Sequence, residues 1–236
     1  MASVKKPFFI VNPKSYLYGD DAVKLAKIAD EIAAEKHLDC LFTGQLIDLP
    51  RIKAATSHLI ITAQHMDPLL PGRGMGHVLP EALKAADVEA VVLNHAENPL
   101  EIGVLDKTIT RAKAVGLMTI VCSDTPSESR AIASLHPTMM ICEPTSLIGT
   151  GSISNDDYIK ATNDAVRSVD PDILIMQAAG VSTGADVKKV LALGADGTGG
   201  TSGIINAPDW RAKLMEMMGA MAAYKEAQLA LSLIHI

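Results

Sequence analysis

Apolar residues in this chain fall into short unbroken runs, separated by longer stretches in which they recur every three or four positions. Six runs are apolar without alternation: Phe8 to Val11, Leu59 to Ala63, Ala90 to Leu93, Met118 to Val121, Met139 to Cys142 and Ile173 to Met176. A strand that is apolar at every position is covered on both faces, as in a parallel sheet flanked by helices. Between the runs, Ala22, Leu25, Ala26, Ala29, Ile32 and Ala33 trace one helical stripe, and Leu105, Ile109 and Ala112, closed by Gly116, trace another. Ile159, Thr162, Val166 and Val169 form a third, and Val187, Val190 and Leu191, stopped by Gly194, a fourth. Weaker strands at Asp39 to Thr43 and around Asp196 to Gly200 complete a set of eight. Spread over 236 residues, eight units average about 29.5 residues each, the length of a βα repeat. The pattern predicts an α/β fold, a single closed (β/α)8 barrel spanning residues 1–236. An open doubly wound sheet is the competing arrangement, but it wants a Gly-rich loop directly after the first strand, and Asn12-Pro13-Lys14 is not one. A last helix presents Trp210, Leu214, Met217, Met218 and Met221 on one face and closes the chain. Residues 231–236 break its period and are expected to be a non-native or disordered tail without functional weight.

Composition narrows the chemistry. Apolar residues make up 48% of the chain but aromatic ones only 3%, so the core is aliphatic and stacking platforms for bases or sugars are scarce. Small polar substrates fit better. With 21 Lys and Arg against 27 Asp and Glu, the net charge of −6 offers no basic surface to nucleic-acid phosphates, and no nucleic-acid partner is expected. Cys40, Cys122 and Cys142 are few, odd in number and form no CxxC pair, which points to a reducing compartment, with the cytoplasm expected. After Lys5 and Lys6, the run from Phe8 to Val11 is too short for a signal peptide, and no stretch approaches the 18 or so apolar residues of a membrane span. No membrane association is expected.

In a (β/α)8 barrel the active site lies at the C-terminal ends of the strands, and the residues directly after the apolar runs here are polar. Asn12 and Lys14 come after the first strand, Gln64, His65 and Asp67 after the third, Asn94, His95 and Glu97 after the fourth, and Glu143 after the sixth. A lysine, an imidazole and a carboxylate at one mouth are the parts needed to move a proton at a carbon next to a carbonyl. Small-residue loops come after the later strands: Gly149-Thr150-Gly151, Gly180-Val181-Ser182 and Thr201-Ser202-Gly203. Backbone amides in such loops make a phosphate site, commonly placed after strands 7 and 8. His65, Asp67 and His77 invite a metal reading, but they lack the i, i+4 spacing of a helical ligand pair.

These motifs, Asn12-x-Lys14, Ala63-Gln64, Asn94-His95-x-Glu97 and Glu143-Pro144-x-x-x-Ile148-Gly149-Thr150-Gly151, in register over nearly the whole chain, resemble the triosephosphate isomerase family, in particular its shorter-chain subgroup. The resemblance implies a cofactor-free isomerase interconverting dihydroxyacetone phosphate and glyceraldehyde 3-phosphate through an enediolate. It makes Glu143 the base, His95 the neutral electrophile, Lys14 the cation serving enediolate and phosphate, and Asn12 an orienting donor. Glu97, Asn94 and Gln64 become supporting residues, and Gly149, Thr150, Gly180, Ser182, Thr201 and Ser202 the phosphate-binding set. The segment from Pro144 to Thr150 resembles the family's lid. A homo-oligomer, dimer or tetramer, is implied as well, with Met66, Leu69, Leu70 and Met75 forming the apolar tip of a loop that inserts beside a partner's Asn12 and Lys14. Ala96 stands where the family usually carries Ser, Pro13 replaces an aromatic, and strand 8 is small where the family is bulky and aliphatic. Thr198, Gly199 and Gly200 therefore predict extra room on the phosphate side, and an isomerase for a tetrose phosphate is the close alternative. A barrel that binds a phosphorylated metabolite without turnover is a third.

Overall fold

The computed structural model describes residues 3–234. Eight parallel strands close into one barrel in sequence order: β1 Phe8–Val11, β2 Cys40–Gly44, β3 Leu59–Ala63, β4 Ala90–Leu93, β5 Met118–Ser123, β6 Met139–Cys142, β7 Leu174–Met176 and β8 Gly197–Gly200. The helices are α1 Gly19–Lys36, α2 Leu49–Ala55, α3 Pro80–Ala85, α4 Ile102–Val115, α5 Pro126–Ala133, α6 Asp156–Arg167, α7 Gly184–Ala192, α8 Ser202–Ile205 and α9 Trp210–Ile234. The predicted (β/α)8 barrel is thus the observed fold, and β8 pairs with β1 to close it. Sequence periodicity identified the long helices. It passed over α2 and α3, whose seven and six residues are too few to draw a stripe, and α5, which begins on Pro126 and on a Thr125 hydroxyl that accepts the Glu128 N–H. Helix α9 continues through residues 231–234, while 235 and 236 lie outside the described residues.

Alternation along each strand creates two separate apolar cores. One face looks into the barrel, where Phe8, Ile10, Leu41, Val92, Ile120 and Ile141 pack together. The other meets the helices, with Phe9, Val11, Phe42, Val91, Val121 and Ile175 against α-helical residues such as Leu25, Ile32 and Val187. Both faces are apolar, so the sequence shows a run rather than an alternation. Strand β8 is the exception. Gly197 and Gly199 lie in register with Phe8 and Ile10, and a Cβ at Gly197 would stand 2.5 Å from the Phe8 ring. Bulk on β1 occupies the volume that β8 leaves free.

Candidate active site

The inward phase of the strands continues past their ends and sets what faces the mouth. Two residues beyond inward Ile10 comes Asn12, beyond Leu41 comes Thr43, and beyond Ile141 comes Glu143. A cleft at this end is lined by Asn12, Lys14, His95, Glu143, Ile148, Gly149, Gly180, Thr201 and Ser202 and floored by Ile10, Val92, Ile141 and Met176. Residues from five strand ends therefore meet in one place.

Glu143 is the electrostatic centre of the cleft. Burial pushes its carboxyl up from 4.5 to about 7, the Lys14 charge pulls it down, and Glu97 raises it. No hydrogen bond among the described residues holds the carboxylate, so it can take up and release a proton near neutral pH. His95 is held in the opposite sense. Burial and the charge of Lys14 lower its pKa, against Glu97, and the Glu97 backbone N–H donates to Nδ1 at 3.1 Å. A backbone N–H can only donate, so Nδ1 is the acceptor and the proton resides on Nε2. The 4.0 Å approach of the Glu97 carboxylate to that same Nδ1 is accordingly not a charged pair. Lys14 Nζ meets Glu97 Oε1 at 2.6 Å. Burial raises the Glu97 carboxyl, but the hydrogen bond and charge of Lys14 leave it below its ordinary range.

Local backbone geometry aims these groups. Lys14 adopts a left-handed φ of 49°, and its N–H donates to Asn12 Oδ1 at 3.0 Å in a tight side-chain turn. Its carbonyl accepts from Gln64 Nε2 at 2.9 Å and from Gln45 Nε2 at 3.3 Å. Asn94, also left-handed at φ 57°, donates to the Cys122 carbonyl at 3.0 Å and accepts from Leu100 N–H at 2.9 Å, which shapes the turn that presents His95. Thr43 and Gln45 were missed by sequence reasoning. The signal for Thr43 is its place two residues past inward Leu41; Gln45 carries none, because its contacts depend on how the loops after β1 and β3 approach.

Four of the six residues expected to bind phosphate, Gly149, Gly180, Thr201 and Ser202, line the cleft. Thr150 and Ser182 do not. The Thr150 hydroxyl donates to the Leu147 carbonyl at 2.9 Å, and Ser182 donates its N–H to Asp186 at 3.1 Å in the turn that starts α7. Gly180 sits at φ 68°, and a Cβ there would lie 2.1 Å from the Ser152 carbonyl, so only glycine lets the β7 loop meet the segment after Thr150. The segment from Pro144 to Thr150 contains a 3-10 turn over Thr145–Leu147. Its start is tied down by Thr145 N–H to Asp124 Oδ1 at 3.3 Å, and the Tyr158 hydroxyl donates to the Asp124 carbonyl.

Comparison with known proteins decides the lineage. The triosephosphate isomerase family model matches residues 7–218. The chain belongs to the triosephosphate isomerase family. It is 36% identical over 219 residues to a triosephosphate isomerase of Caldivirga maquilingensis, covering 91% of this chain and 97% of that one. A triosephosphate isomerase of Methanobacterium bryantii is 34% identical, covering 90% and 96% of the two chains, and one of Methanocaldococcus jannaschii is 33% identical, covering 89% and 97%.

Two expectations need correction. At Gly199 the small residues of β8 leave no extra room, since a Cβ there would stand 2.0 Å from the Ile10 carbonyl, whereas Gly200 lines the cleft. Met66 does not belong to the exposed tip of the β3 loop; it is fully buried in the outer core, and Leu69 is half-buried, leaving Leu70 and Met75 exposed. Ala96 borders a cavity of about 230 Å³ that adjoins the cleft at His95, Glu143 and Ile148 and is lined further by Asn94, Cys122, Ser123, Asp124 and Glu128. His65 and His77 both approach Asp67 Oδ1, at 3.4 and 3.1 Å, while its other oxygen accepts the Val78 N–H, so this cluster closes the loop on itself. Among the described residues, no group of three or more His, Cys, Asp and Glu is placed to hold a metal ion. No described helix is long and apolar enough to cross a membrane.

Proposed function

We propose that this chain interconverts dihydroxyacetone phosphate and glyceraldehyde 3-phosphate, shuttling a proton between adjacent carbons through an enediolate without a cofactor. The observation that carries the reading is the juxtaposition in one cleft of a carboxylate raised to about 7, an imidazole fixed as its neutral Nε2–H form, and the Lys14 ammonium. In this reading Glu143 takes the proton from the carbon next to the carbonyl and returns it to the neighbouring carbon. His95 Nε2–H donates to the carbonyl oxygen as negative charge develops there. Lys14 balances the enediolate and the phosphate, and Asn12 donates to the same end of the substrate. A neutral histidine suits the task, since its weak acidity lets a proton be shared with an enediolate oxygen without being lost to it. Base, neutral histidine and lid are the roles established for triosephosphate isomerases. Gly149, Gly180, Thr201 and Ser202, which line the same cleft, offer backbone and hydroxyl donors to the phosphate. Thr150 and Ser182 would bind it only after the lid segment and the β7 loop rearrange.

The test is turnover of each triose phosphate, followed by a coupled spectrophotometric assay. Interconversion in both directions is expected, with a four-carbon ketose phosphate slower by roughly 10- to 200-fold in kcat/KM, the scale of one added carbon in a pocket. Absence of turnover with either triose phosphate, accompanied by binding, would replace the isomerase with a phosphometabolite-binding barrel.

The chain is a homo-oligomer in the same reading. Met75 and Leu70 protrude at the tip of the β3 loop, and Tyr16, Tyr18 and Ile47 are exposed near the mouth. Beside the cleft lies a cavity of about 280 Å³ lined by Asn12, Lys14, Ser15, Gln45, Gln64 and Glu97, which suits such a tip from a second copy. The buried, unpaired thiols Cys40, Cys122 and Cys142 support a reducing compartment such as the cytoplasm.

A further inference from the structure

Asn12 presents a chemical question of its own, because an amide side chain has one accepting and one donating end and only one of them can serve the cleft. Strands β1 and β2 run in register with Val11 opposite Phe42, so Asn12 and Thr43 are the next neighbours at the barrel mouth. The Thr43 side chain is completely buried, and its hydroxyl lies 2.5 Å from Asn12 Oδ1. The Lys14 N–H reaches the same oxygen at 3.0 Å. Because a backbone N–H only donates, the atom it meets is the amide oxygen, and the Thr43 hydroxyl must then donate to it as well. Both acceptor positions of the oxygen are taken. Nδ2 is left with no acceptor among the described residues, on a side chain that lines the cleft.

We propose that Thr43 is a positioning residue, which clamps the Asn12 amide by its oxygen so that its N–H groups stay aimed at the substrate's oxygen. This deepens the isomerase reading and rests on it. A single donor from Lys14 fixes which atom faces the backbone but leaves the side chain free to swing about that one bond. The second donor comes from a different strand and removes this freedom. A cleft donor stabilises a developing oxyanion to the extent that it needs no reorientation at the moment of reaction. Thr43 therefore acts on the transition state through Asn12, without touching the substrate. Gln45, two residues further on, extends the same grip from the β2 end by donating to the carbonyl of left-handed Lys14.

Thr43→Val keeps the branched shape and removes the donor, whereas Thr43→Ser keeps the donor and removes a methyl. Thr43→Val is expected to lower kcat/KM roughly five- to tenfold, mostly in kcat, on the scale of one hydrogen bond, and Thr43→Ser to stay within about twofold of wild type. In an Asn12→Ala background Thr43→Val is expected to cost nothing further, because its effect passes through the missing amide. An equal loss in both backgrounds, or a Thr43→Ser as slow as Thr43→Val, would assign Thr43 a merely structural role and overturn the proposal. Crystal structures of the two variants give a readout independent of turnover: Asn12 is displaced in Thr43→Val and unmoved in Thr43→Ser. An unmoved Asn12 in Thr43→Val overturns the clamp. A wild-type protein inactive on triose phosphates would instead fail the isomerase reading, and the same pair of structures would still judge the clamp.

Discussion

Glu143→Gln separates the two consequences of burying a carboxylate. Glutamine keeps the shape of the side chain but accepts no proton, so turnover is expected to fall by roughly 10²- to 10⁴-fold. Stability is expected to move the other way. Burial raises Glu143 from 4.5 to about 7, so the folded protein binds its proton more tightly than the unfolded chain does. That preference supports folding fully below pH 4.5 and is lost progressively as pH rises through about 7. The gap corresponds to about 3 kcal/mol at ~1.4 kcal/mol per pH unit, and most of it separates a measurement at pH 5 from one at pH 8.5. Glutamine has no such pH dependence. The variant should therefore gain on wild type by roughly 2 to 3 kcal/mol between those two pH values, which for a chain of this size is a relative rise in Tm of about 5 to 10 °C. Paired thermal unfolding of both proteins at pH 5 and pH 8.5 measures it, and any constant cost of burying an amide cancels in the comparison. A stability difference that does not change with pH would show that the carboxylate is not strained by its surroundings, and the account of its basicity would fail with it.

The same carboxylate gives the rate a pH dependence: kcat/KM should climb about tenfold from pH 6 to pH 8, since protonation below about 7 removes the base; a flat profile would exclude that ionisation. Lys14→Met should lower kcat/KM by at least roughly 10²-fold and move the acid limb of that profile to higher pH, because the Lys14 charge holds Glu143 down; a raised KM with an unmoved limb would leave Lys14 a binding role alone. Gly199→Ala should destabilise by about 1 to 3 kcal/mol in urea, as its Cβ would meet the Ile10 carbonyl, whereas Gly219→Ala in open space on α9 should stabilise by about 0.5 to 1 kcal/mol; equal effects would refute the packing of β8 on β1. Met75→Glu at the exposed tip of the β3 loop should shift the protein toward monomer in sedimentation, and an unchanged mass would remove that tip from the interface.

Much of this protein is determined by the order of its residues alone. Unbroken apolar runs of four or five residues, recurring with helical stripes between them, specify strands covered on both faces, and eight such units without a Gly-rich loop after the first strand favour a barrel over an open sheet. Polar residues directly after those runs, Asn12, His95 and Glu143 among them, must then gather at one mouth, because parallel strands all end on the same side. The features that the sequence did not reveal depend on phase and on distant partners. Runs apolar on both faces conceal which residues look inward, so the place of Thr43 two residues past Leu41 could be read as facing Asn12 only once Leu41 was known to look inward. Small β8 read as open space until Phe8 and Ile10 filled it from the neighbouring strand. Met66 looked like part of an apolar tip until the loop root folded it into the core. The charge states of the site are tertiary too: the pKa of Glu143 comes from burial, and the tautomer of His95 from a backbone N–H two residues away in a turn held by Asn94. Residue types fix which chemistry is available, while the packing around each of them fixes its direction, its proton and its basicity.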